Sequence, residues 1–121
     1  MTYDEFNAFC ASLPATSYVQ QWGGSHVWKV GGKVFAIGGW DDDAPRFTFK
    51  AGEVAYEMLK DQPGLRPAPY LASRGMKWIQ HYDEPGLADD ELRGYLRASH
   101  RLVSLGLSKK KQRELGLNRD D

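Results

Sequence analysis

"HVWKVGGKVFAIGGW", His26 to Trp40, decides the fold. Two runs rich in β-branched and aromatic residues flank Gly31-Gly32, and a Gly-Gly pair between such runs signals a tight antiparallel hairpin. The period of two starts upstream, at Tyr18, and continues beyond the quoted stretch. In "RFTFK", Arg46 to Lys50, Phe47 and Phe49 point one way while Arg46, Thr48 and Lys50 point the other. "DDDAP", Asp41 to Pro45, is the turn that joins the two stretches. Residues 18–50 thus read as an antiparallel meander with one face buried and one face wet and partly basic.

Helical spacing appears on both sides of the meander. Thr2 with Glu5 three residues later is a capping box. Phe6, Phe9, Cys10 and Leu13 follow at i, i+3, i+4 and i+7, one apolar face that ends at Pro14. "GEVAYEMLKDQ" returns to that spacing, with Val54, Ala55, Met58 and Leu59 expected on one side. The prolines of "PGLRPAP" stop it. "YLASRGMKWIQHYD" reads as two short strands about a turn at Ser73 to Gly75. "LADDELRGYLRASHRLVSLGL" is a long amphipathic helix whose Asp89, Asp90 and Glu91 sit at its positive N-terminal end. Leu92, Tyr95, Leu96, Ser99, Leu102 and Val103 face inward. Ser108 caps a last short helix.

The architecture is therefore α+β: an antiparallel sheet of about five to six strands with helices packed on one face. The core should comprise Phe6, Phe9, Leu13, Trp28, Phe35, Phe47, Phe49, Leu92, Leu96 and Val103. The 121 residues fit one domain, residues 1–121, with 116–121 as a loose tail.

Composition narrows the function classes. Hydrophobic content of 41% with 12% aromatic residues suits a globule rather than a disordered chain. One cysteine, Cys10, leaves no internal disulfide and fits a reducing cytosol; on the apolar face of the first helix it reads as a small buried hydrophobe. The first residues, "MTYDEFNAFCASLP", lack the charge and apolar run of a signal peptide, and no stretch is long enough to span a membrane. His26, His81 and His100 are scattered, with no second ligand at metal-binding spacing. Gly31-Gly32-Lys33 precedes a strand rather than a helix, so it is a turn and not a phosphate loop. Asp41, Asp42 and Asp43 lack the ligand spacing of a calcium loop. The expectation is a monomeric, noncatalytic protein without cofactor or metal.

Charge is more informative. The formal net charge is zero, yet residues 1–60 hold seven acids and five bases, net −2, and residues 61–121 hold nine acids and eleven bases, net +2. Between Leu92 and Arg113 lie Arg93, Arg97, Arg101, Lys109, Lys110, Lys111 and Arg113, with no acid among them. Hairpin turns add Lys33, beside Gly31-Gly32, and Arg74 with Lys77, beside Gly75. A hairpin with a basic tip can lie along a phosphate backbone. The candidate DNA-contacting set is Lys33, Arg74, Lys77, Lys109, Lys110, Lys111 and Arg113, with the last four on a mobile basic arm. A rival reading is a protein- or ligand-interaction module with Trp22, Trp40, Tyr70 and Trp78 in a groove between sheet and helices.

The order of these pieces resembles the MmcQ/YjbR family of small bacterial proteins, from the first helix to about Leu115. The resemblance rests on Leu13-Pro14 after the first helix, and on Gly32, Lys33 and Phe35 in the hairpin. Pro67, Tyr70 and Trp78 follow, and Ser99-His100 stands where the family has Ser-Tyr. It implies a CyaY-like fold and a role in DNA binding through a "double wing" of hairpins, and it brings no catalytic or cofactor site. Frataxin-like iron binding is not carried over, because the acidic first helix of those proteins shrinks here to Asp4 and Glu5.

Overall fold

The computed structural model describes residues 1–39, 45–69, 71 and 75–118. The elements run α1 (Tyr3–Ser12), β1 (Thr16–Gln21), β2 (Ser25–Val30), β3 (Lys33–Gly38), β4 (Phe47–Lys50), α2 (Glu53–Leu59), β5 (Leu65–Pro67), β6 (Trp78–His81), α3 (Asp89–Leu105) and α4 (Lys109–Glu114). The six strands form one sheet in the order β1-β2-β3-β4-β6-β5, with every neighbouring pair antiparallel.

Local chemistry explains the element ends. Thr2 accepts from Glu5 N while Glu5 accepts from Thr2 N, so the capping box of α1 is closed in both directions. Gly31 and Gly32 turn β2 into β3 at φ +58 and +85, where a side chain is disfavoured. β3 contains a bulge: Trp28 faces Ala36 but Lys29 faces Val34, so Phe35 is the extra residue. β5, the strand that pairs with β6, is Leu65–Pro67, inside the proline-rich stretch; Tyr70 and Ala72 to Arg74, within the segment expected as a strand and turn, lie outside the described residues. Proline is tolerated there because β5 is an edge strand.

α1 and α3 pack on one face of the sheet and enclose the core. Phe6, Phe35, Phe49 and Leu96 are fully buried, and Trp28, Phe47, Leu92 and Val103 nearly so, while Phe9 and Leu13 are partly buried against them. α2 turns Ala55, Tyr56 and Leu59 inward, whereas Val54 is 74% and Met58 60% exposed. The expected stripe was one residue out of phase, because Tyr56 is drawn into the core by its bulk.

The opposite face is not uniformly wet. A single cross-strand row, Val19–Val27–Ile37–Thr48–Gln80–Arg66, runs through all six strands. Its four central members are at most 2% exposed. Apolar side chains make one half of the row and hydrogen-bonding ones the other. The basic character expected of this face is kept at its margins, by Lys29, Lys50 and Arg66.

The chain end is also more ordered than a loose tail. Leu117 is buried in the core cluster, its N–H donates to Gln112 O at 2.8 Å, and Asn118 bonds Ser104 and Gln112. Residues 119–121 lie outside the described residues.

Candidate nucleic-acid interface

The β2–β3 tip does not project freely. A Cβ at Gly31 would come 2.5 Å from Leu107 Cδ1 and 3.3 Å from Leu115 Cδ1, so the turn is seated on the α3–α4 corner and on the residue that ends α4. Glycine supplies both the left-handed backbone and the close approach. Lys33, exposed, begins β3 two residues after this seat.

α4 is locked by one buried amide. Ser108 Oγ caps it by accepting from Lys111 N at 3.0 Å. Gln112, only 4% exposed, donates from Nε2 to Leu107 O at 2.8 Å and Leu105 O at 3.4 Å, while its Oε1 accepts from Asn118 Nδ2 at 3.0 Å. Those carbonyls would otherwise end α3 unsatisfied. With Gln112 turned in, Lys109, Lys110, Lys111 and Arg113 are all exposed. The basic run thus lies on a helix docked through Gln112, with Leu115 packed against the core. Lysine and arginine dominate the local sequence, so only the single glutamine could have betrayed its docking.

The remaining candidates separate. Lys77 lies at the same end of the sheet as Lys33, since β6 begins opposite Lys50 at the end of β4. Two strand spacings of about 4.8 Å intervene. Its ammonium sits 5.5 Å from the Tyr56 ring centre of α2, a cation–π contact. Arg74 lies outside the described residues.

Along α3 the charges segregate. Asp89, Asp90 and Glu91 begin the helix, and Asp83 and Glu84 precede it. Asp4 and Glu5, in the first turn of α1, lie at the same end, because the N-terminal ammonium just before them contacts Asp89 at 2.9 Å. Seventeen residues later, about 25 Å along the axis, the helix delivers the chain to the α4 ridge. Among the described residues, an acidic cluster thus lies at the start of α3 and a basic one beyond its end, while Glu53, Glu57 and Glu114 lie outside the acidic cluster.

The histidines are structural. His100 Nε2 lies 2.8 Å from Pro14 O and its ring meets Phe35 edge-on. His26 Nδ1 is 2.8 Å from Tyr18 Oη. His81 Nδ1 accepts from Leu87 N at 3.2 Å. No group of His, Cys, Asp and Glu among the described residues is arranged to hold a metal ion, and no described helix is long and apolar enough to cross a membrane. The aromatic groove does not assemble from its described members. Trp22 is 56% exposed in the β1–β2 turn, whereas Trp78 is 5% exposed at the start of β6, the other end of the sheet. Trp40 and Tyr70 lie outside the described residues.

The YjbR family model matches residues 11–102, from within α1 to near the end of α3. The chain belongs to the YjbR family. The Deinococcus radiodurans protein DR2400, whose crystal structure carries a DUF419 domain, is similar to it with a TM-score of 0.83 at 24% identity, over 96% of this chain and 88% of that one. A crystal structure of a protein from Pseudomonas syringae is similar with a TM-score of 0.65 at 18% identity, over 84% and 98% of the two chains. Both likenesses establish the α+β fold. Among curated proteins none matches. The family match ends before the α4 ridge, so the basic run is a feature of this chain beyond the matched segment.

Proposed function

We propose that this YjbR-family protein binds duplex DNA without sequence preference, through the surface where the β2–β3 tip meets α4. The observation that carries the reading is the seating of Gly31 on Leu107 and Leu115, which supports a cationic surface combining Lys33, at the start of β3, with Lys109, Lys110, Lys111 and Arg113 of α4. Phosphate contacts supply most non-specific affinity and need only clustered cations. A rigid cluster loses less entropy on binding than a mobile arm would. The acidic end keeps a polyanion from approaching in the wrong orientation. Lys77, held over Tyr56, is a peripheral contact. The protein acts as a noncatalytic, monomeric cytosolic binder; its family is not a known enzyme family.

Fluorescence anisotropy with a labelled duplex, at several salt concentrations, tests this. Log K should fall linearly with log[salt], with a slope of about 0.9 per neutralised phosphate. Lys33→Ala and the fourfold alanine variant of Lys109, Lys110, Lys111 and Arg113 should both flatten that slope, equally on unrelated sequences. Lys77→Ala should change it little. Absence of salt-dependent binding near about 50 mM salt, where the electrostatic contribution is strong, defeats the proposal.

A further inference from the structure

The hydrogen-bonding half of the outer row, Thr48–Gln80–Arg66, has no role in the basic surface described above. Gln80 and Thr48 are each 1% exposed, and the other half of the same row is Val and Ile. A buried amide and hydroxyl are costlier than an apolar pair at such positions unless they organise something. What they organise is the Arg66 guanidinium. Gln80 Oε1 accepts from Arg66 Nε at 2.9 Å and from Nη2 at 2.7 Å, while Gln80 Nε2 lies 3.4 Å from Thr48 Oγ1. The Tyr82 ring lies 4.4 Å from Arg66 Cζ and fixes the plane of the group.

An arginine carries five N–H donors, and this clamp uses the Nε–H and one Nη2–H. The other Nη2–H and the Nη1–H that faces it form the end-on fork, which has the spacing of two oxyanion oxygens. No carboxylate among the described residues pairs with Arg66, and Lys50, two residues from Thr48 on β4, adds a second positive charge to the same face. We infer that Arg66, aimed by Gln80, Thr48 and Tyr82, is a binding site for an oxyanion, the phosphate or carboxylate group of a ligand, held bidentately by the end-on fork. The site lies on β5, three strands from β3, and stands independently of the DNA surface.

Two-dimensional NMR of the labelled full chain tests it. Because the Gln80 bond slows exchange, Arg66 should give a sharp Nε–H signal in the parent protein. Titration with inorganic phosphate, and separately with acetate, should shift that signal saturably; a response to one anion only identifies which source the site prefers. Arg66→Lys keeps the charge but loses the fork and should weaken binding by about tenfold or more, the usual scale for a lost charged hydrogen bond. Gln80→Leu keeps the arginine but frees it, and should broaden the Nε–H signal and weaken binding several-fold. Lys33→Ala should leave the anion response intact. An Arg66 signal that neither anion moves overturns the inference. So does binding by Arg66→Lys within about twofold of the parent, or a response confined to residues near Lys33 and α4. If either Arg66 or Gln80 variant fails to fold, the parent's Arg66 signal decides by itself.

Discussion

Ser99 on α3 donates from Oγ to Phe35 O at 2.6 Å, and Phe35 is the residue that bulges from β3. The bulge takes this carbonyl out of the regular ladder, and the helix supplies what the neighbouring strand does not. Ser99 Oγ also accepts from Lys50 N at 2.9 Å, so one hydroxyl ties β3 and β4 to α3. Ser99→Ala should orphan one buried and one part-buried backbone group and destabilise the protein by about 2–6 kcal/mol, at about 1–3 kcal/mol for each. Urea unfolding followed by circular dichroism measures the loss. Ser99→Thr keeps the hydroxyl and should cost less.

Gly31→Ala combines a left-handed backbone, φ +58, with a collision against Leu107. A cost of about 1–3 kcal/mol is expected. The expected structural result is separation of the hairpin tip from α4. Hydrogen exchange should report faster opening of α4 in this variant, and DNA affinity should fall although no charge has been removed. Gly32→Ala, where a Cβ meets nothing within 4 Å, should suffer only the backbone penalty.

Cys10 is fully buried in the core, and burial pushes its thiol up to about 12. Thiolate is the reactive form, so iodoacetamide at pH 8 should leave the folded protein unmodified for as long as it stays folded. Mass spectrometry across a urea series should show alkylation rising with the unfolded fraction. Rapid labelling in buffer would contradict the packing of α1 on the sheet.

His81 predicts how stability responds to mild acid. Burial holds its pKa below the ordinary value of 6.5, against the opposing pull of Glu84, Asp89 and Asp83 and with a smaller contribution from the N-terminal ammonium. Leu87 N donates to Nδ1, and the ring packs flat against Gly86, where no Cβ would fit. Below pH 6.5 the unfolded chain takes up a proton that the folded ring still refuses. Stability present above that pH should therefore fall as pH drops towards the folded value. His81→Gln should flatten the melting temperature between pH 7 and pH 5 relative to the parent.

Local patterns made much of this molecule legible. The Thr2–Glu5 box, Gly31-Gly32, the alternation of "FTFK" and the long stripe of α3 each follow from residues within a few positions of one another. What escaped depends on partners far apart in sequence. Pro67 reads as a breaker until β5 is known to be an edge strand. Val54 and Met58 look like a core stripe until Tyr56 competes for the same space. Thr48 reads as a wet position because nothing local says that Ile37 and Gln80 flank it. At the candidate surface, Lys33 and the Lys109–Arg113 run were visible as charges. That the β2–β3 turn seats on the α3–α4 corner was not, since it hangs on leucines at 107 and 115 closing over a glycine at 31.

The separation of charge along α3 also governs how the molecule behaves in bulk. Asp4, Glu5, Asp83, Glu84, Asp89, Asp90 and Glu91 near the start of α3, against Lys109, Lys110, Lys111 and Arg113 beyond its end, contribute a permanent dipole along the helix although the formal net charge is zero. At neutral pH and low ionic strength it should adhere to both anion- and cation-exchange resins, presenting opposite poles to each. Copies of it should attract one another head to tail, weakly and reversibly, until added salt shortens the reach of the field.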